Sequence, residues 1–221
     1  MAELPLFPLN VVLFPGMMLP LHIFEERYRA LINQCAKDQS PFGVVLIKSG
    51  WEVGETAIPH TVGTTAYIIE LDRFEDGRLN IIVVGRQRFR LQRLLQYEPH
   101  LVADVEFYPL RSGDPQEMRE KARHVYRLLT GYIGLLTKAM GIELRLEELP
   151  TNPPTLAILA AIALQVSLNE KQELLEIPSY ERLLEREETL LRRERALLAY
   201  VLRSAQKEPD DSLYAPHFSP N

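Results

Sequence analysis

Prolines at positions 5, 8, 15 and 20 interrupt an otherwise apolar N-terminus that runs from Leu4 to Leu21. A proline inside a helix removes one main-chain hydrogen bond and clashes with the preceding turn, so no continuous helix fits here. Nor is there the basic n-region and unbroken apolar run of a secretory leader, and the segment is expected to open a domain. Each proline holds its predecessor in extended geometry, which predicts two short strands around a tight turn at Phe14-Pro15-Gly16. Downstream the pattern changes period. Phe24, Tyr28, Leu31, Ile32 and Cys35 recur at i, i+4, i+7, i+8 and i+11, one apolar stripe of a helix with Glu25 and Glu26 in its first turn.

The next stretch reads as strands. Pro41 to Lys48 is a β-branched apolar run, and Ser49 to His60 reads as a loop. Val62 to Leu71 and Leu79 to Gly85 are expected to pair as a hairpin across Asp76-Gly77. From Gln87 to Leu95 alternation places Phe89 and Leu91 on one side and Arg88 and Arg90 on the other; Leu101 to Phe107 alternates again. Several short strands with turns between them suggest a small barrel or pseudo-barrel.

Near residue 110 helical periodicity takes over. Asp114-Pro115-Gln116-Glu117 has the N-cap, the first-turn proline and the Glu three residues on that start a helix. Met118, Ala122, Val125, Leu129, Tyr132, Leu136 and Met140 form its stripe, and Gly141 is expected to end it. A second helix starts at Asn152-Pro153, and its core, Leu156 to Leu164, is apolar all round, which suits the centre of a bundle and is too short to cross a bilayer. Ser167 to Glu176 gives a short third helix. A fourth runs from Ser179 to about Ser204, with Glu185 to Glu188 and Arg192 to Arg195 expected on a solvated face. The expected division is therefore 1–110, a β domain; 111–205, a helical bundle; and 206–221, a disordered tail.

The motifs Leu6-Phe7-Pro8-Leu9, Leu13-Phe14-Pro15-Gly16, Leu19-Pro20-Leu21 and Ile23-Phe24-Glu25 with Arg27-Tyr28 stand in an order and spacing that closely resembles the Lon N-terminal domain family. Phe42-Gly43-Val44-Val45, Val62-Gly63-Thr64, Asp76-Gly77-Arg78 and Gly85 with Arg88-Phe89-Arg90 continue the match. The resemblance spans roughly residues 4 to 110 and, more weakly, the helical part through Asn169 to Glu176. It implies an α+β fold: an N-terminal PUA-like β pseudo-barrel with one inserted helix, followed by a C-terminal helical bundle. It also implies a stand-alone, non-catalytic module that binds exposed apolar segments of unfolded or damaged polypeptides, with an adaptor role toward a separate AAA+ protease as a further expectation.

Composition agrees with a globular chain and narrows the chemistry. At 221 residues, 46% hydrophobic and 25% charged, the chain can bury a sizeable core, and a net charge of −5 disfavours a general nucleic-acid binder. One cysteine, Cys35, cannot form an internal disulfide, which fits a reducing cytoplasm; its place on the apolar stripe predicts a buried thiol. Lon proteases hydrolyse ATP and cut peptide bonds, yet no Gly-x-x-x-x-Gly-Lys-Ser/Thr loop occurs, and none of the six lysines follows a glycine. Ser167 and Lys171 do not read as a protease dyad: Ser167 is expected to cap a helix and Lys171 to face solvent. Histidines 22, 60, 100, 124 and 217 lack metal-ligand spacing. No enzyme, metal, cofactor or membrane span is expected.

Two groups of residues are candidates for binding. Trp51 on a glycine-flanked loop, with Phe14, Met17 and Met18 at the proline-glycine bend, offers adaptable apolar contacts for a polypeptide. The alternative reading makes Trp51 a plug over the barrel end and packs the methionines into the core. Arg86, Arg88 and Arg90, at period two on one strand face, with Arg93 beyond, would serve an RNA-binding PUA-like protein or form a solvated strand face.

Overall fold

A computed structural model describes residues 2–50, 57–142 and 149–205. Six strands come first, β1 (Ala2–Leu9), β2 (Met18–Ile23), β3 (Phe42–Ser49), β4 (Ile58–Arg73), β5 (Leu79–Gln96) and β6 (Val102–Phe107), with α1 (Glu26–Asp38) between β2 and β3. Four helices follow: α2 (Pro115–Met140), α3 (Pro153–Ala163), α4 (Leu168–Glu176) and α5 (Tyr180–Ala205). The sheet order is β2-β5-β4-β3-β1-β6, and β6 also pairs with β5, so five strands close a ring and β2 hangs on its outside. Only β1 and β3 run parallel, joined by a connection that contains α1. This is the α+β pseudo-barrel with one inserted helix that the N-terminal motifs imply.

The prolines sit where a strand can lack a donor. Residues 2 to 5 of β1 pair with β6 and residues 6 to 9 pair with β3, so Pro5 and Pro8 each have a strand partner on one side. Pro20 lies in β2, an edge strand. The two expected N-terminal strands form, yet they pair with other strands and not with each other.

Gly85 explains how β2 is hung. Gly85 and the Phe14-Pro15-Gly16 bend exchange main-chain hydrogen bonds, Gly16 N–H to Gly85 O at 2.8 Å and Gly85 N–H to Met17 O at 2.9 Å, and a Cβ on Gly85 would run into the Phe14 carbonyl. Thr64 Oγ1 donates to Leu13 O at 2.6 Å from the other side. The bend is thus locked to β4 and β5, and β2 leaves it along β5 with Met18 opposite Val84.

Three sequence expectations need correction. Phe24 is exposed and precedes α1: Glu25 is extended (φ −72°, ψ 134°) and occupies the N-cap, so the stripe starts at Tyr28, whose ring stacks on Phe7 at 4.0 Å. Leu79 to Gln96 is one strand and not two. An extra residue in β5, where Gly85 to Arg88 stand opposite Ala66 to Thr64 of β4, makes a bulge that bends β5 without breaking it, and the change in alternation marks that bulge. Met140, at the end of the α2 stripe, is exposed.

The helices start and stop where their caps direct. Asp114 accepts from Gln116 N (2.9 Å) and Glu117 N (2.8 Å), Gly141 closes α2 at φ +65°, and Ser167 with Glu170 forms a capping box on α4. Contacts at Lys121–Glu185 and Gly131–Arg195 advance together, so α2 and α5 lie side by side and parallel. The apolar α3 is buried through Leu156, Ala157, Ala160 and Ala161. One continuous apolar cluster joins Val12, Phe14, Leu46 and Val62 of the β part to Val125, Leu129, Leu156, Leu174 and Leu184 of the helices.

Helix α4 is the polar seam of that junction. Arg88 Nη1 donates to Leu175 O (2.5 Å) and Ile177 O (2.7 Å), Gln172 Nε2 to Val62 O (3.0 Å), and Tyr108 Oη to Glu176 O (3.2 Å). Two residues assigned to solvent are withdrawn from it here, Lys171 in part and Glu187 wholly. Lys171 Nζ donates to Ala161 O (2.5 Å) and Ile162 O (2.8 Å) beside the Phe14 ring, and burial lowers its pKa to about 8. Glu187 on α5 is fully buried; burial holds its carboxyl well above the usual range, against the opposing pull of Lys171. Helical spacing alone could not reveal either, because α3 and α4 close over what would otherwise be a charged outer face.

Candidate functional site

Strands β2, β5 and β4 present one solvent face. Residues directly opposite in an antiparallel ladder share a side, so the registers define three rows: Met18, Val84 and Tyr67; Pro20, Ile82 and Glu70; His22, Asn80 and Asp72. The intervening Ile81 and Val83 are buried beneath them. A bulge between Ile68 and Glu70 pushes Ile69 outward as well, and it is exposed. The face therefore grades from apolar at the Met18 end to polar at the His22 end.

A shallow cavity of about 430 Å³ lies on this face, lined among others by Pro20, His22, Glu70, Asp72, Asn80 and Ile82. His22 Nδ1 stands 2.7 Å from Asn80 Oδ1, and the exposed rings of Phe24 and Phe74 flank the imidazole with centroids 6.2 Å away. Arg78 covers Phe74 at 5.6 Å. Among the described residues the sheet ends at β2, and the outer edge of Met18–Ile23 has no strand beside it. An apolar sheet face next to an open edge can receive side chains on the face and main chain at the edge.

The candidate residues separate. Met18 is 65% exposed on the first row, Met17 is half-buried between the barrel core and the helical core, and Phe14 is 2% exposed, so it supports the bend from inside. Trp51 lies outside the described residues. Pro20, Tyr67, Ile82 and Val84 were missed by sequence reading. Their signal was weak: Ile81 to Val84 reads as an unbroken apolar run, and only the register of β2 shows which residues face out.

The arginine set does not form one solvated face. Arg88 is 4% exposed, its guanidinium fixed by the α4 carbonyls and stacked over Tyr108 at 4.8 Å, and burial lowers its pKa to about 10. Arg90 lies over the same ring at 4.1 Å, Arg93 stands 3.9 Å from Asp104, and Arg86 is exposed. The period-two spacing is real, but α4 and Tyr108 cover Arg88 in the middle of the set, while Arg86, Arg90 and Arg93 stay exposed. Among the described residues, no three His, Cys, Asp or Glu side chains are grouped to hold a metal ion.

Comparison with known proteins places this geometry. Residues 3–193 match the family described as the ATP-dependent protease La (LON) substrate-binding domain. The chain belongs to that family. It is 32% identical over 200 residues to the Lon protease of Anaeromyxobacter dehalogenans (strain 2CP-C), covering 89% of this chain and 24% of that protein. It is 31% identical over 198 residues to Lon protease 2 of Myxococcus xanthus, covering 88% of this chain and 24% of that one. The chain thus spans about a quarter of the length of these relatives. Among solved structures it resembles the Lon N-terminal domain protein from Xanthomonas campestris (TM-score 0.60, 27% identity, 84% of this chain and 96% of that one). It shares the fold of the N-terminal domain of the Mycobacterium avium complex Lon protease (TM-score 0.66, 18% identity, 86% and 98%).

As a Lon substrate-binding domain, the matched region is non-catalytic, and the similarity covers the substrate-binding part of Lon and not the protease part. Among the described residues no helix is long and apolar enough to cross a membrane.

Proposed function

We propose that this Lon-type substrate-binding module captures exposed apolar segments of unfolded or damaged polypeptides on the β2–β5–β4 face. The carrying observation is the apolar pair of rows, Met18-Val84-Tyr67 and Pro20-Ile82, left open beside an unpaired edge strand. A large client side chain buried there contributes about 1.5–3 kcal/mol before ordering costs, which gives modest affinity and broad specificity. The flexible Met18 thioether suits varied partners. Trp51 is retained as a second anchor.

Within the proposal, residues 1–110 do the capturing, the helices of 111–205 brace the barrel, and the module hands clients to a separate AAA+ protease in the cytoplasm. The resemblance to Lon proteases over their substrate-binding part supports that partnership. The test is affinity for a fluorescent, permanently unfolded reporter. Met18→Asp is expected to weaken binding about tenfold or more while leaving the melting temperature within about 1–2 °C, since the side chain is exposed. Raising the salt should leave apolar capture intact or strengthen it. Unchanged affinity in Met18→Asp, or a steep fall with salt, would refute the assignment.

A further inference from the structure

Helix α2 carries Arg119, Arg123 and Arg127 at successive four-residue steps, so their side chains stack along one exposed face. They rim a cavity of about 810 Å³ whose apolar lining includes Ala122, Tyr126 and, from α3, Leu156. At one end His124 and Arg127 also line a smaller cavity of about 280 Å³, where Arg192 and Arg195 enter from α5.

Among the described residues these cations are nearly uncompensated. Arg192 is paired with Glu188 at 2.5 Å, and Glu120 is the carboxylate in the lining of the larger cavity. Among the described residues Arg119, Arg123, Arg127 and Arg195 make no ion pair. Arg195 is also firmly seated: its guanidinium packs where Gly131 has no side chain, and a Cβ there would lie 3.0 Å from Cζ. Its Nε is buried with no acceptor among the described residues, a rare and unfavourable state for a charged donor. Like charges gathered this way raise one another's energy, and an anion set among them is stabilised in proportion.

Guanidinium forks donate to carboxylate and phosphate alike; the apolar lining separates the two. A bare phosphate chain has nothing to set against the half-buried Tyr126 ring, behind which Ala122 and Leu156 are buried, whereas a polypeptide that alternates carboxylates with apolar side chains satisfies both the rim and that ring. From Arg119 to Arg127 the rim runs about 12 Å, the length of roughly four residues of extended chain. We propose that the α2–α3–α5 groove binds a short extended acidic polypeptide segment, its carboxylates on Arg123, Arg127 and Arg195 and an apolar side chain on the Tyr126 ring. This site is separate from the β2 face and does not depend on it.

The test is fluorescence anisotropy on the full chain with a labelled peptide repeating Glu-Leu-Asp-Phe, a control repeating Gln-Leu-Asn-Phe, and inorganic polyphosphate and single-stranded RNA as competitors. The acidic peptide should bind at least about tenfold tighter than its amide control, and this preference should shrink with salt. Arg123→Gln with Arg127→Gln, and separately Arg195→Gln, should each reduce binding about tenfold with unchanged circular dichroism, whereas Met18→Asp should leave it unaltered. Equal binding of the two peptides overturns the proposal, as does full affinity in the arginine variants. Displacement of the peptide by polyphosphate or RNA at much lower concentration overturns the choice of occupant.

Discussion

Replacing Arg88 by Met tests whether this arginine clamps α4 or serves a solvated binding face. The structure gives the magnitude. Arg88 Nη1 donates to two carbonyls at the C-terminal end of α4, at 2.5 and 2.7 Å, where helix acceptors have no partner of their own. Hydrogen bonds to a charged group contribute about 1.5–3 kcal/mol each, so the pair is worth roughly 3–6 kcal/mol. Burial of the guanidinium opposes this, and Nη2 has no partner. The fall of the Arg88 pKa from 12.5 to about 10 puts that opposition at roughly 3 kcal/mol. The Tyr108 stack returns about 1 kcal/mol. The balance left for Arg88→Met is a loss of about 1–4 kcal/mol, or a fall in melting temperature on the order of 5–10 °C. The loss should be local as well as global. Hydrogen exchange of the α4 amides, residues 168 to 176, should accelerate more than that of β3, while Arg88→Lys, which keeps a charge but not the fork, should fall between Met and wild type. A change below about 0.5 kcal/mol with unaltered α4 protection would refute the clamp, and lost RNA affinity at unchanged stability would restore the solvated face.

Phe14 and Met18 should behave oppositely although they lie four residues apart: Phe14→Ala should cost about 3–5 kcal/mol by chemical denaturation, and Met18→Ala about 0.5 kcal/mol or less, with similar losses at both positions counting against the placement of the bend. Glu187→Gln should flatten the pH dependence of stability. The folded carboxyl is held well above its ordinary value near 4.5, so above that pH the unfolded chain releases a proton that the folded one keeps, and stability falls as pH rises through the window up to the folded pKa. Gln cannot ionise, so melting temperatures of wild type and variant should diverge as pH rises above the ordinary carboxylate range, and parallel profiles would show that Glu187 does not titrate this way. Lys171 acts in the other sense and higher up: lowered to about 8, its burial cost persists below that pH and is relieved between about 8 and 10.5.

What the amino-acid sequence determined by itself is what local chemistry dictates. The prolines at 5, 8, 15 and 20 forced extended chain. Asp114-Pro115, Asn152-Pro153 and Ser167 with Glu170 started three helices where they now start, because a cap and its helix are neighbours in the chain. The stripes at Tyr28 to Cys35 and Met118 to Tyr132 are buried for the same reason. The family motifs carried the barrel, and Gly85 shows why: no other side chain lets the bend at Phe14 approach β5. Everything decided by a distant partner was invisible to spacing. Periodicity gives the side of an element on which a residue lies, but not what covers that side. Arg88 looked solvated until α4 lay across it, 87 residues away in the chain; Lys171 and Glu187 looked solvated until α3, α4 and α5 closed together. The open face had the converse problem, since Ile82 and Val84 sit in an apolar run that reads as fully buried. Only the closing of the ring through β5 and β6, with β2 left outside it, turns half of that run toward solvent. Burial is a property of what packs against a residue, and long-range packing is set by the tertiary structure alone.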